Sequence, residues 1–124
     1  TMKEYGHLLE TEAGAEFAKR TFDLSEFLLQ NGLREELAKS KGLSQKITYH
    51  DACHLSHGQK ITEAPRLLLK AIPNAEYVEL PESLTCCGSA GIYNVVQPKL
   101  ARRLLNRKWK HVESTRATVV AMGN

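Results

Sequence analysis

The chain holds 124 residues, 42% apolar and 25% charged, an ordinary globular composition that suffices for one modest core in a single domain. A formal charge of +3 with only 6% aromatic residues argues against nucleic acid as a partner. No apolar run approaches the roughly 20 residues that span a bilayer, and Thr1 to His7 lacks the apolar stretch of a signal peptide, so a soluble, cytoplasmic chain is expected.

In chain order, the stretch from Glu10 to Arg20 is rich in good helix formers, with Ala13, Phe17 and Arg20 at helical spacing, and predicts a first helix. Asp23-Leu24-Ser25-Glu26 carries the acceptor-x-x-Glu pattern of a capping box, and the short helix it opens runs through Phe27, Leu28 and Leu29 to a stop at Asn31-Gly32. Leu33 to Ser40 is helix-prone and ends near Gly42. The period then changes. Lys46 to His50, Ala75 to Leu80 and Ala117 to Met122 are short and rich in β-branched or apolar residues, and read as three strands. Between the first two, Thr62-Glu63-Ala64-Pro65 opens a helix with Ile61, Ala64, Leu68 and Ile72 along one face, closed by Pro73-Asn74. Between the last two, Pro98 starts a longer helix whose expected core stripe is Leu100, Leu104, Leu105, Trp109 and Val112.

Strand, helix, strand, helix, strand implies a parallel sheet built through right-handed crossovers, with the early helices covering the remaining face. The predicted fold is a small three-layer α/β domain, with a mainly parallel sheet and helices on both faces: a helical cover over 1–45 and a βαβαβ core over 46–124. In such a sheet the loops after the carboxyl ends of the strands gather at one edge, where open α/β sheets place their sites.

The cysteines fall in those loops. Cys53 follows the first strand by three residues, Cys86 and Cys87 follow the second by a short loop, and Asn124 follows the third directly. Although 32 residues separate Cys53 from Cys86, a βα crossover returns both to the same edge. Three cysteines is an odd count that argues for reduced thiols, and in a reducing compartment such a cluster is more often metal-binding or catalytic than a staple. Adjacent Cys86 and Cys87 form a disulfide only with strain, because neighbouring Cα atoms lie about 3.8 Å apart, below the usual disulfide range. Two adjacent thiolates more readily serve different iron atoms of a polynuclear cluster, which favours iron-sulfur over a single zinc ion. Gly88-Ser89-Ala90-Gly91 lets the backbone bend tightly and aim N–H groups at anionic sulfur. The plain alternative is a buried turn of small residues.

His50, Asp51, His54 and His57 flank Cys53 closely enough to supply a further ligand, an outer hydrogen bond or a proton route. A histidine at a strand end more often caps or packs, and Asp51 is expected to hold its loop through backbone N–H groups. Lys99, Arg102, Arg103, Arg107, Lys108 and Lys110 make the last long helix basic, with no acidic residue from Val96 to Val112. A solvated face explains most of this, and docking on an acidic partner subunit or an anionic membrane surface is the functional alternative. Trp109 and Tyr93 are expected in or beside the core.

His50-Asp51-Ala52-Cys53-His54, followed by Cys86-Cys87-Gly88-Ser89-Ala90-Gly91-Ile92-Tyr93-Asn94, resembles the cysteine-rich CCG domain of glycolate oxidase (glycolate dehydrogenase) iron-sulfur subunits. The wider family includes heterodisulfide reductase subunits and lactate-utilisation proteins, and closes its motif with Cys-x-x-Cys. Here 35 residues follow Gly88 before Asn124, which stands where the first closing Cys falls. In the glycolate oxidase branch an Asn-Pro-Gly-Cys run takes that place, so Gly123-Asn124 fits the branch and the next cysteine is expected beyond it. Lys3-Glu4-Tyr5-Gly6-His7 is similar to the segment that follows a first CCG motif, so the chain reads as the second copy, an excised C-terminal fragment of a larger subunit.

The resemblance implies an electron-transfer domain of an oxidoreductase complex, relaying electrons from a flavin subunit that oxidises glycolate to an acceptor. A structural zinc-binding or subunit-interaction domain is the alternative. The implied cofactor is an iron-sulfur cluster such as 4Fe-4S, or zinc in some members, with Cys53, Cys86 and Cys87 as ligands and His50, His54, Gly88 and Asn124 in outer contact. In a fragment this site is expected to be incomplete and inactive alone. The implied partners are the flavin-containing subunits of the complex, and the implied location is the cytoplasm, at the inner face of the cell membrane where the complex associates with it.

Overall fold

The first part of the chain forms short helices, two of them capped by side chains. After a 3₁₀ turn at Met2–Glu4 come Tyr5–Leu9 (α1) and Glu12–Lys19 (α2), the latter started by Thr11, whose Oγ1 accepts the Gly14 N–H at 3.1 Å. Leu24–Gln30 (α3) carries the predicted capping box: Asp23 Oδ1 accepts the Ser25 N–H at 2.8 Å, and Glu26 Oε2 accepts the Asp23 N–H at 3.3 Å. Leu33–Ala38 (α4) completes the cover. Gly42 then turns the chain with φ +74°, where a Cβ would lie 2.0 Å from the Pro73 carbonyl oxygen, so only glycine fits. The computed structural model describes residues 2–123, and Asn124, expected beside the site, lies outside the described residues.

Lys46–His50 (β1) is the central strand of a three-stranded sheet. After a π-helical turn at His54–Gly58, Glu63–Lys70 (α5) crosses to Glu76–Val78 (β2). A one-turn helix at Tyr93–Val96 (α6) precedes Pro98–Thr115 (α7), which crosses to Val119–Met122 (β3). Both flanking strands run parallel to β1, with Ile47 opposite Tyr77 on one side and Val119 on the other, in the order β2-β1-β3. The first crossover moves to one side of β1 and the second returns past it, so right-handed connections put α5 and α7 on opposite faces. Burial agrees: the consecutive residues Ile47, Thr48 and Tyr49 point to alternating faces and are 2%, 0% and 3% exposed. The predicted α/β fold with a parallel sheet is therefore the observed one. On the α5 side, Ala52, Leu55, Ile61 and Ala64 pack together, and Leu29 of α3 packs against them; α3 and α4 thus lie on α5, and the early helices do not cover a remaining face of the sheet as expected.

The structure corrects several details. Strand β2 is shorter than Ala75 to Leu80, spanning only Glu76–Val78, and the Glu79 side chain just past its end accepts from Arg66. The buried face of α7 is Ala101, Lys108, Val112 and Thr115, with Leu104 half-buried, whereas Leu100, Leu105 and Trp109 are exposed. The expected stripe thus shares Leu104 and Val112 with the observed one but was drawn too wide, its flanking members Leu100, Leu105 and Trp109 lying outside the buried face. Hydrophobicity pointed to Trp109, but its indole N–H donates to Glu113 Oε1 at 2.9 Å on the outer surface. Lys108 takes the inward position instead. Likewise α5 buries Arg66 along with Ala64 and Pro65, and Ile72 lies past its end.

Candidate metal centre

Cys53 stands at the start of the π-helical turn after β1 and is exposed. The chain enters that turn through the Ala52 carbonyl, which accepts from both Leu55 and Ser56 N–H at 2.9 Å, and the Gln59 N–H closes the wide π turn on the His54 carbonyl at 3.1 Å; π turns recur at functional sites. Cys86 is exposed and Cys87 is partly buried in the loop after β2. The Gly88 N–H donates to Cys86 Sγ at 3.2 Å, the kind of contact expected of the glycine-rich turn. Gly88 has φ +85°, and a Cβ there would lie 2.6 Å from the Ala101 carbonyl oxygen, so the turn sits directly on the start of α7.

The two cysteine-bearing loops are tied together by charge and hydrogen bonding. Arg66 reaches from α5 to Asp51, at the end of β1, with two hydrogen bonds of 2.8 and 2.7 Å. The same guanidinium bonds Glu79 Oε1 at 2.6 Å, the Thr62 carbonyl at 2.7 Å and Ser83 Oγ at 3.3 Å, and it lies 5.4 Å over the Tyr49 ring. Burial pushes the Asp51 carboxyl up, but hydrogen bonds from Arg66 and Ser83 and the guanidinium charge reverse this and leave it below the ordinary carboxylate value. Glu79 is lowered by the same arginine. Asp51 therefore holds the loop through a side-chain pair, not through backbone N–H groups as expected.

A second clamp comes from α7. Lys108 Nζ donates to the carbonyls of Glu82 and Ser83 at 2.6 and 3.1 Å, while the Glu82 carboxylate accepts from Arg107 at 2.8 and 2.7 Å. A third is His57, whose Nε2 lies 3.1 Å from the Leu84 carbonyl oxygen. A carbonyl only accepts, so that nitrogen carries the proton. His57 is thereby a tie between the loops.

Of the other predicted residues, His54 is exposed and His50 is half-buried. Burial and the nearby Lys108 charge lower the His50 pKa, with Asp51 opposing, and its Nδ1 is buried without a hydrogen bond among the described residues. Among the described residues no three Cys, His, Asp or Glu side chains are grouped closely enough to hold a metal ion. The donor chemistry nonetheless fits a thiophilic group: three free thiols on the loops of one sheet edge, one of them already accepting a backbone N–H. Sequence reasoning missed Arg66 and read Lys108 only as part of a solvated basic face; each stands among the buried positions of its helix, and that placement was the available signal.

Comparison with known proteins bears on the same region. The chain is 35% identical over 129 aligned positions to the "Probable glycolate oxidase iron-sulfur subunit" of Bacillus subtilis (strain 168), covering 99% of this chain and 29% of that protein. It is 27% identical to "Lactate utilization protein A" of Oceanobacillus iheyensis, covering 99% of this chain and 52% of the relative, and 33% identical to the protein of that name in Bacillus licheniformis, covering 95% and 51%. The chain thus spans about half or less of the length of these relatives. No solved structure matches it. The profile of the CCG cysteine-rich domain matches residues 47–124, from the second residue of β1 onward and through all three cysteines, and on that match, which covers more than half of its length, the chain belongs to the CCG cysteine-rich domain family.

Proposed function

We propose that this domain holds an iron-sulfur cluster through Cys53, Cys86 and Cys87 and relays electrons within an oxidoreductase complex that oxidises a small 2-hydroxy acid. The observation that carries the reading is the pinning of the two thiol-bearing loops to each other through Asp51, Arg66 and Ser83, at the sheet edge where the family motif lies. The names of relatives support the cofactor and the substrate class: one is a glycolate oxidase iron-sulfur subunit and others serve lactate utilization.

When bound, the cluster supplies one-electron transfer at a potential set by its charge, hydrogen bonding and exposure. The chain's own residues act on it in distinct ways. Cys53, Cys86 and Cys87 offer thiolates, the Gly88 N–H withdraws charge from sulfur, and Arg66 and Lys108 fix the loops so that the ligands need little reorganisation. Glycolate is the substrate we favour for the complex, with a flavin subunit as electron donor, in the cytoplasm or at the inner membrane face. The outer surface of α6 and α7 suits docking of such a partner: Ile92 and Val95 are each 73% exposed, and Lys99, Arg102 and Arg103 in the first turns of α7 are exposed as well. Among the described residues no helix is long and apolar enough to cross a membrane.

The test is to add glycolate or lactate anaerobically to the assembled complex and follow the visible absorption. Glycolate-dependent bleaching that is lost in Cys87→Ser supports the reading. Bleaching by lactate alone reassigns the substrate, and a complex whose turnover and spectrum are unchanged in Cys87→Ser overturns the electron-transfer role.

A further inference from the structure

Lys108 is a charge without a counter-charge. It is 6% exposed, and its ammonium donates to two backbone carbonyls, Glu82 at 2.6 Å and Ser83 at 3.1 Å. Among the described residues no carboxylate lies in salt-bridge range of it, because Glu82 turns its carboxylate outward to Arg107 and His111 and Asp51 is taken by Arg66. A buried ammonium held only by neutral dipoles is costly, and buried cations are ordinarily matched by an anion.

The geometry indicates where that anion belongs. Ala101 and Lys108 are seven residues apart on one buried face of α7, about 10.5 Å along its axis. Gly88 is packed on the Ala101 backbone, and Ser83 is held by Lys108. The segment between them is therefore pinned at both ends to the same helix face, and Cys86 and Cys87 lie within it, next to Gly88. Burial lowers the Lys108 pKa, and the negative charge of Cys87, Glu82, Asp51 and Cys86 opposes that fall, so both thiols lie within its electrostatic reach.

We propose that Lys108 is the fixed counter-charge of the Cys86-Cys87 thiolates, a positioning residue that lays this segment along α7 and sets the electrostatic potential at its sulfurs. This rests on the reading of those cysteines as ligands. A structural lysine would only stabilise the loop. A counter-charge also makes the thiolates more accessible to anionic reagents and the site easier to reduce.

The experiment compares alkylation by iodoacetate, an anion, and iodoacetamide, which is neutral, on the whole metal-free protein at one pH and low salt, resolved by peptide mass spectrometry. Both reagents attack the thiolate, so their rate ratio cancels the ionised fraction and reads local potential. The ratio at Cys86 and Cys87 should exceed that at Cys53 about threefold, fall to the Cys53 value in Lys108→Gln, and be retained in Lys108→Arg. A folded Lys108→Gln protein with an unchanged ratio, or an arginine variant no different from glutamine, overturns the proposal. If Lys108→Gln does not fold, the unaltered protein decides, since equal ratios at all three thiols overturn it as well. In cluster-loaded protein, Lys108→Gln should disfavour one-electron reduction about tenfold, equivalent to 59 mV. A protein that takes zinc and no cluster sinks the cofactor reading, while the reagent ratio still tests Lys108 independently.

Discussion

Replacing Arg66 by methionine is the sharpest perturbation of the frame that supports the thiols. The Asp51 side chain is 1% exposed and the Arg66 side chain 10%, so the change strands a buried carboxylate that now accepts two hydrogen bonds from the guanidinium. Breaking a buried pair by removing one partner costs about 3–5 kcal/mol. For a domain of this size each kcal/mol moves the melting temperature by about 4 °C, so Arg66→Met should melt roughly 12–20 °C below the unaltered protein near pH 7. Asp51→Asn in the same background removes the stranded charge and should restore a substantial part of that loss. The pH dependence carries a further signature. With Arg66 gone, burial is left to raise the Asp51 carboxyl, so the variant's deficit should shrink as the pH is lowered from 7 to 5. Thermal and urea unfolding followed by circular dichroism measures all three. A melting temperature within about 3 °C of the unaltered protein, or a deficit that grows on acidification, would refute the argument.

Two other outcomes follow from the structure. Gly88→Ala should cost about 1–3 kcal/mol and reduce metal retention, because φ is +85° and the new Cβ would meet the Ala101 carbonyl; metal content against urea midpoint checks it. Acid should destabilise the unaltered protein in two stages. His50 has a folded pKa below its unfolded value of about 6.5, so the unfolded chain takes that proton first and stability declines below that pH; Asp51 and Glu79 are likewise depressed, and their contribution, present above about pH 4, is lost as the pH falls through their folded values. Urea midpoints at several pH values test the sequence, and a midpoint that does not fall below pH 4 contradicts it.

Much of the fold was legible because it rests on local chemistry. The capping box at Asp23 and Glu26, the strand Lys46–His50, and Pro98 as the first residue of α7 are all written in neighbouring residues, and each is observed. Positions decided by long-range polar contacts were not. Helix α1 at Tyr5–Leu9 and the one-turn α6 are too short to show a period. The inward face of α7 was drawn too wide and without Lys108, which reads as solvated until the carbonyls of Glu82 and Ser83, some 25 residues away in sequence, are seen to accept from it. Arg66 was passed over for the same reason, since Asp51 and Glu79 lie 15 and 13 residues from it. The candidate site was legible as a motif, Cys53 with Cys86-Cys87-Gly88, whereas the clamps that hold its loops are visible only in three dimensions.

The central claim, that Cys53, Cys86 and Cys87 hold an iron-sulfur cluster, is tested most directly by metal and acid-labile sulfide analysis with EPR on anaerobically purified subunit, comparing the unaltered protein with Cys53→Ser, Cys86→Ser and Cys87→Ser. The account predicts iron and sulfide in the unaltered protein, with the same portion of both and the same EPR signal lost in each variant. Stoichiometric zinc at this domain without sulfide, or iron and sulfide unchanged in all three variants, would contradict it.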